Sequence, residues 1–288
     1  MKIPLDCHIH TPLCGHAGGA PEEYVRQAAE KGLRLLCFTC HCPMGDQQGF
    51  GGPKIRMTFE QLDDYERMIE RARREGEKSG VEVLLGIEAE WFPEEKELVA
   101  MDEMLATRPF DYVGGAVHPH LPIYLEWFEQ HGINDDRGRI ETYLEHLLRA
   151  VECGRFDAMT HLDIVRCYGT VQHFEAAPHE ALFRKVLDAC ARLKLPVEIN
   201  TSGLHKPKVG AIHPDPLILD WAQDFPLMYI PGSDAHNPGQ VAGHYDEAAV
   251  ILNARGINQF VCFRQRQRQL FHPSQTQFAA TKEQPGDV

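Results

Sequence analysis

The 288-residue sequence has no apolar run of membrane-spanning length, and its opening residues lack the basic-then-apolar order of an export signal. Both absences lead us to expect a cytoplasmic chain with no membrane partner. Positive charge is scarce as well: 29 Lys and Arg stand against 42 Asp and Glu, a formal net charge of −13. That balance opposes nonspecific attachment to a nucleic acid backbone. No basic stripe interleaved with aromatics offers a track for a long strand either. A small phosphorylated partner is still compatible, because bound cations reverse the sign of the field locally. Paired cysteine spacing is missing too. Nine cysteines, an odd number, include Cys37-x-x-Cys40-x-Cys42, but no second Cys-x-x-Cys follows to complete a zinc ribbon. Reduced thiols are the expectation. The first apolar run is not followed by the glycine-rich turn that marks an open nucleotide-binding sheet.

What the chain has in excess is histidine, sixteen in all. A short apolar run leads into His8-x-His10, and a Pro- and Gly-containing loop delivers His16. Side chains two apart on a strand share a face, so His8 and His10 can grip one divalent ion and His16 can complete a tripod. Alone, so short a motif more often means a core histidine and a turn cap. Repetition along the chain changes that balance.

Apolar runs alternate with helical stretches. After the opening run, strands are expected near 33–39, 81–87, 110–117, 156–160, 195–199 and 227–231, with one more near 258–263. Helices are expected over about 21–31, 58–79, 94–106, 139–153, 178–193, from Pro216, and over about 239–255. Their punctuation is explicit: Pro21 and Pro216 at opening turns, the capping box Thr58-x-x-Gln61, and Gly32, Gly80 and Gly256 as stops. Residues 121–138, aromatic and then polar, read as an excursion over the site, in which Tyr124, Trp127, Phe128 and His131 either shape a pocket there or, the reading we favour, simply pack. Residues 1–272 form one unit, and the polar stretch 273–288 reads as a loose tail.

Strands alternating with helices imply parallel pairing through right-handed crossovers. An open sheet and a barrel both satisfy that rule. In a barrel, functional residues gather at the carboxyl ends of several strands. Here the runs end at His8-x-His10, His41, Glu88, His118, His161 and Asp234-Ala-His236, so a closed or distorted α/β barrel is expected. Mixed nitrogen and oxygen donors suit zinc, iron or manganese better than magnesium or calcium. Seven imidazoles and two carboxylates exceed the needs of one ion, which implies two or three, with Glu88 placed to bridge.

The ordered segments His8-x-His10-Thr-Pro-Leu-Cys-Gly-His16, Thr39-Cys-His41-Cys-Pro43, Gly86-Ile-Glu88, Gly115-Ala-Val-His118, His161-Leu-Asp163, Asn200-Thr-Ser-Gly203 and Gly232-Ser-Asp234-Ala-His236 resemble the successive motifs of the PHP family. The likeness spans about residues 1–270 and is greatest to the family's histidinol-phosphatases. It implies a distorted seven-stranded (β/α)7 TIM-like barrel with a di- or trinuclear centre. By the same resemblance the ligands are His8, His10, His16, His41, Glu88, His118, His161, Asp234 and His236. The implied reaction is hydrolysis of a small phosphate monoester, L-histidinol phosphate first, by a metal-bridging hydroxide. Nucleotides or short oligonucleotides are the alternative substrates. An amidohydrolase also begins with His-x-His on a barrel, but it usually offers a bridging lysine that no strand end supplies here. A noncatalytic relative is expected to lose ligands, whereas all nine positions are filled.

Two departures stand out. Cys40 occupies a position that is usually Asp in the family, where it is expected to support His41 from behind. After Thr201-Ser-Gly-Leu204, where the histidinol-phosphatase branch tends to have arginine, this chain has His205 and Lys206. Arg166, His205 and Lys206 are the candidate substrate-binding residues. No side chain is assigned to protonate the leaving alcohol, and nothing in the sequence specifies an oligomeric state.

Overall fold

A computed structural model describes residues 1–45, 47–271 and 279–280. Seven strands form one sheet in sequence order: β1 (Leu5–Ile9), β2 (Leu35–Phe38), β3 (Glu82–Glu90), β4 (Tyr112–Ala116), β5 (Ala158–Met159), β6 (Val197–Asn200) and β7 (Tyr229–Gly232). Every neighbouring pair is parallel. The crossovers carry α1 (Pro21–Glu30), α2 (Leu62–Ser79), α3 (Glu95–Ala106), α4 (Pro122–Gln130), α5 (Asp136–Glu152), α6 (Glu180–Arg192) and α7 (Pro216–Ala222). α8 (Tyr245–Asn253) follows β7. Strands such as Leu-Asp-Cys-His-Ile and Leu-Leu-Cys-Phe are buried along their whole length, as parallel strands covered on both faces must be. The sheet curls until β1 meets the end of β7, where the His10 N–H donates to the Ala235 carbonyl at 2.9 Å. The result is the nearly closed, distorted seven-stranded barrel expected from the sequence.

Several boundaries differ from the sequence reading. β5 has only two residues, because the chain turns at once toward His161. The helix expected from about 239 begins at Tyr245, since Ala242 and His244 adopt φ of 48° and 58°, outside helical space. Residues 121–138 contain α4, whose Tyr124 and Phe128 are buried in ordinary packing. Tyr124 packs edge-on against Phe92, and Trp127 packs on His146.

The run expected near 258–263 does not join the barrel. It is β8 (Phe260–Arg264), paired antiparallel with β9 (Gln267–Phe271) through a turn in which Gln265 and Arg266 are both left-handed. That turn lies beneath the amino ends of the barrel strands. The Gln265 N–H donates to the Asp111 carboxylate at 3.1 Å and the Arg266 N–H to the Asp111 carbonyl at 2.9 Å, and Arg266 Nε donates to the Asp157 carboxylate at 2.6 Å. Arg264 pairs with Glu82. The same carboxylates accept N–H groups from the preceding strands, Leu85 to Asp111 at 3.0 Å and Val113 to Asp157 at 2.8 Å. The hairpin therefore closes the amino end, and the carboxyl end stays open. Within the stretch expected to be a tail, Ala279–Ala280 (β10) pairs with β9; its other residues lie outside the described ones. Among the described residues no helix is long and apolar enough to cross a membrane.

Candidate metal centre

Strand geometry delivers the donors one by one. The pleat of β1 turns His8 and His10 to the same side, with their Nε2 atoms 3.1 Å apart. Gly15, at φ 78°, then reverses the chain; a Cβ there would meet the Pro53 carbonyl at 2.2 Å, so only glycine makes this turn. His16 follows at the exposed rim, its Nδ1 donating to the Cys14 carbonyl at 3.0 Å.

Glu88, near the end of β3, lies at the middle of the set. Its Oε2 is 2.8 Å from His41 Nδ1, 3.5 Å from His8 Nε2 and 3.7 Å from His10 Nε2. Its Oε1 is 2.9 Å from His161 Nε2 and 3.6 Å from His118 Nε2. Asp234 Oδ1, beyond β7, is 3.0 Å from His10 Nε2 and 3.7 Å from His8 Nε2. The His236 ring stacks on His10 with centroids 4.0 Å apart and lies 4.5 Å from His16. All nine side chains picked out in the sequence converge on one place.

The electrostatics of this cluster are those of a cation site. Burial would raise the Glu88 carboxyl, yet His41, His8 and His118, with the hydrogen bond from His161, hold it well below the ordinary value. Burial works the same way on Asp234, and His8 and His10 overcome it. Burial would lower His8, but Glu198, Glu88 and Asp234 raise it well above the ordinary imidazole range. His236 goes the other way, pushed down to about 4 by burial and by His10. Protonated imidazoles thus balance buried carboxylates, and the cluster would equally accept bound cations in their place.

Donor chemistry agrees. His236 Nε2 is buried without a hydrogen bond. His8 Nδ1 is occupied by Glu198, so in neutral His8 the proton is there and the Nε2 lone pair faces the other ligands. These residues fit divalent transition ions with nitrogen and oxygen ligands.

Three buried carboxylates behind the ligands escaped the sequence reading of the site. Glu198 Oε1 accepts from His8 Nδ1 at 2.6 Å, and its Oε2 accepts the His161 N–H at 2.9 Å. Glu90 Oε2 accepts from His118 Nδ1 at 2.6 Å. Asp6 accepts from the Ser233 N–H at 2.8 Å and the Ala242 N–H at 2.9 Å, tying β1 to the Asp234 loop. Gly232 leaves room for this arrangement, since a Cβ would meet Glu198 Oε1 at 2.1 Å and His8 Cβ at 2.5 Å. The available signal was a carboxylate inside a buried apolar run, as in Leu5-Asp6-Cys7 and Val197-Glu198-Ile199.

The centre opens into a cleft of about 450 Å³. Its lining includes Ile55, Arg56, His120, Leu121, Ile164, Tyr168, Ser202, His205, Lys206 and Gln240. Lys206 Nζ donates to Ser202 Oγ at 2.9 Å and sits 5.3 Å from the Tyr168 ring centre. His205 Nδ1 lies 3.3 Å from His244 Nε2. Arg166 is placed differently. Its guanidinium pairs with Asp163 at 3.1 Å and Asp215 at 2.9 Å and donates to the Ile212 carbonyl, outside the lining of the cleft. Arg56 is the cation that sequence reasoning missed: it is 1% exposed, held by the Cys42 and Phe50 carbonyls and 3.5 Å from Glu90. Of the aromatic segment after His118, Leu121 reaches the cleft, whereas Tyr124 and Phe128 belong to the core.

Comparison with known proteins places this geometry. The model of the PHP domain matches residues 6–202. A protein of Deinococcus radiodurans named "Probable histidinol-phosphatase" is 35% identical over 272 residues, covering 92% of this chain and 98% of its own. A "Probable phosphatase" of Caldanaerobacter subterraneus is 28% identical, covering 88% of this chain and 83% of its own. In fold, the chain is similar to the histidinol phosphate phosphatase of Lactococcus lactis, solved with zinc, L-histidinol and phosphate. The TM-score is 0.73 at 20% identity, over 92% of this chain and 98% of that one.

Proposed function

The chain belongs to the PHP family and is a phosphatase, and from that premise we propose that it hydrolyses a small phosphate monoester, L-histidinol phosphate first, to the alcohol and phosphate. The observation that carries the reading is the convergence of nine donors, Glu88 in their midst, beside a cleft whose lining also holds Arg56, Lys206 and the rings of His120 and Tyr168. Two or three zinc, iron or manganese ions would be held by His8, His10, His16, His41, Glu88, His118, His161, Asp234 and His236. Such ions, when bound, supply Lewis acidity toward phosphoryl oxygens and lower the pKa of water.

The chain's own residues do the rest. Glu198 and Glu90 fix the rings of His8 and His118, so the donors need no rearrangement during turnover. Lys206, steadied by Ser202, and His205 reach the phosphoryl oxygens from the cleft lining. Ile55, Leu121 and Ile164 exclude water around the ester. The rings of His120 and Tyr168, with centroids 4.4 Å apart and planes tilted by 40°, offer aromatic contacts to an imidazole-bearing leaving group.

One observation favours a nucleotide instead: among the described residues the only carboxylates lining the cleft are Glu88 and Asp234, both assigned to metal, so none is free to receive a substrate ammonium. Comparing kcat/KM for histidinol phosphate, AMP and a panel of sugar phosphates decides between them. At least a tenfold preference for histidinol phosphate is expected. A preference for AMP retires that substrate and leaves the family assignment intact.

A further inference from the structure

The ligand histidines differ in what meets their outward ring nitrogens. His8 Nδ1 and His118 Nδ1 each meet a carboxylate at 2.6 Å, from Glu198 and Glu90. His10 has no such carboxylate behind it; the side chain that meets its ring there is Cys14. What it has nearby is sulfur. A His10 ring nitrogen and the Sγ atoms of Cys14 and Cys40 all lie within 4.8 Å of one another. Both cysteines are fully buried.

They come from different places. Cys14 ends the short turn Pro12–Cys14 between two ligands, and Cys40 stands between the end of β2 and His41. Thr11 Oγ1 donates to Cys40 Sγ at 3.2 Å, which holds that sulfur beside the turn. Cys14 lies one residue layer below the cleft rim. Cys14 Sγ is within 4.8 Å of ring nitrogens of His16 and His236, and His16 is exposed at the cleft rim.

We propose that Cys14 and Cys40 form a dithiol that peroxide oxidises to a disulfide, and that this oxidation loosens the hold of His10 on the metal centre. The Cys14 sulfur attacks one peroxide oxygen, the O–O bond breaks, and a sulfenic acid and one water result. The Cys40 sulfur then attacks that sulfenic sulfur, expelling the second water as the S–S bond forms. Two thiols and one hydrogen peroxide give one disulfide and two waters, the sulfurs losing two electrons and the peroxide gaining them. Joining the sulfurs pulls the Pro12–Cys14 turn toward Cys40 and withdraws the polar neighbours of His10. Partners of this kind set metal affinity by about 10- to 100-fold. The consequence rests on the metal-centre reading above, whereas the thiol chemistry does not, so the two are measured separately.

The full-length protein, loaded with zinc, is exposed to hydrogen peroxide and its remaining thiols are blocked with iodoacetamide. Mass spectrometry of nonreduced peptides then looks for the Cys14–Cys40 cross-link, while a chromophoric chelator reports released zinc. Expected are the cross-link, at least a tenfold weaker hold on zinc, and recovery of both with dithiothreitol. Cys40→Asp and Cys14→Ser each abolish the cross-link, and neither loses zinc at the peroxide level that affects the wild type. Sulfinic or sulfonic acid at Cys14 without a cross-link overturns the dithiol. Equal zinc release from Cys40→Asp and the wild type overturns its coupling to the centre. A protein that binds no zinc yet forms the cross-link supports the dithiol and fails the metal-centre reading instead.

Discussion

Replacing Glu198 by glutamine tests whether the carboxylates behind the centre set its grip on metal. The substitution keeps shape and volume but removes charge and turns one oxygen into a donor. Glu198, 2% exposed, accepts from His8 Nδ1 at 2.6 Å, from the His161 N–H at 2.9 Å and from Asn200 Nδ2 at 3.1 Å. An amide has one oxygen for these three donors, so either His8 or the His161 backbone is left facing an NH₂ group. A hydrogen bond to a charged partner contributes about 1.5–3 kcal/mol, which corresponds to roughly 10- to 150-fold in an equilibrium constant. Carboxylates behind metal-bound histidines give a similar range, about 10- to 100-fold in affinity. Titration against a chromophoric chelator should therefore show Glu198→Gln binding zinc or manganese at least tenfold more weakly than the wild type. Activity on p-nitrophenyl phosphate should fall in step at limiting metal and recover in large part when metal is saturating. Asp224→Asn, an exposed site paired with Arg184 far from the cleft, should change neither. Metal affinity within twofold of wild type, in a variant that unfolds at the wild-type temperature, would refute the proposed role of Glu198.

Other expectations follow from the same geometry. His118→Ala removes a proposed ligand whose Nε2 is 3.6 Å from Glu88 and should lower both metal content, by elemental analysis, and turnover of p-nitrophenyl phosphate by at least tenfold; unchanged turnover would remove His118 from the centre. Lys206→Ala should raise KM for the phosphate ester by about tenfold, the worth of one charge-assisted hydrogen bond, with a smaller effect on kcat. His146, buried on α5 against Trp91, is pushed by burial, with Arg149 and His131 adding, from an ordinary 6.5 down to about 4. Its folded-state pKa is depressed, so the unfolded chain takes the proton first and stability is lost as pH falls from about 6.5 toward 4. Linkage makes that loss about 2 kcal/mol by pH 5. His146→Leu should accordingly lose less stability than the wild type between pH 7.5 and 5, by about that amount, in urea unfolding.

How much of this could be read from residues alone depended on whether a residue's role was local. His8-x-His10 announces itself because a strand's period of two is a local rule. The barrel was legible for a similar reason, since helix caps such as Asp215-Pro216 and stops such as Gly80 are set by their immediate neighbours. Glu198 was not legible as a partner of His8, because 190 residues separate them and only closure of β1 against β7 brings them together. Arg166 misled for the opposite reason. A basic residue beside His161-Leu-Asp163 looks available to a phosphate, but Asp163 and Asp215 claim it in the fold. The late start of α8 was hidden as well, because Ala242 and His244 adopt left-handed backbone that their residue types do not signal.

The hairpin beneath the barrel separates what keeps the molecule together from what lets it work. Asp111, Asp157 and Glu82 fasten β3, β4 and β5 at the end remote from the cleft, through a turn that touches no ligand. Cohesion of those staves therefore does not depend on the loops around the metals. Such an asymmetry leaves the upper loops free to drift in sequence, and with them the choice of phosphate ester. The clasp below has no comparable freedom.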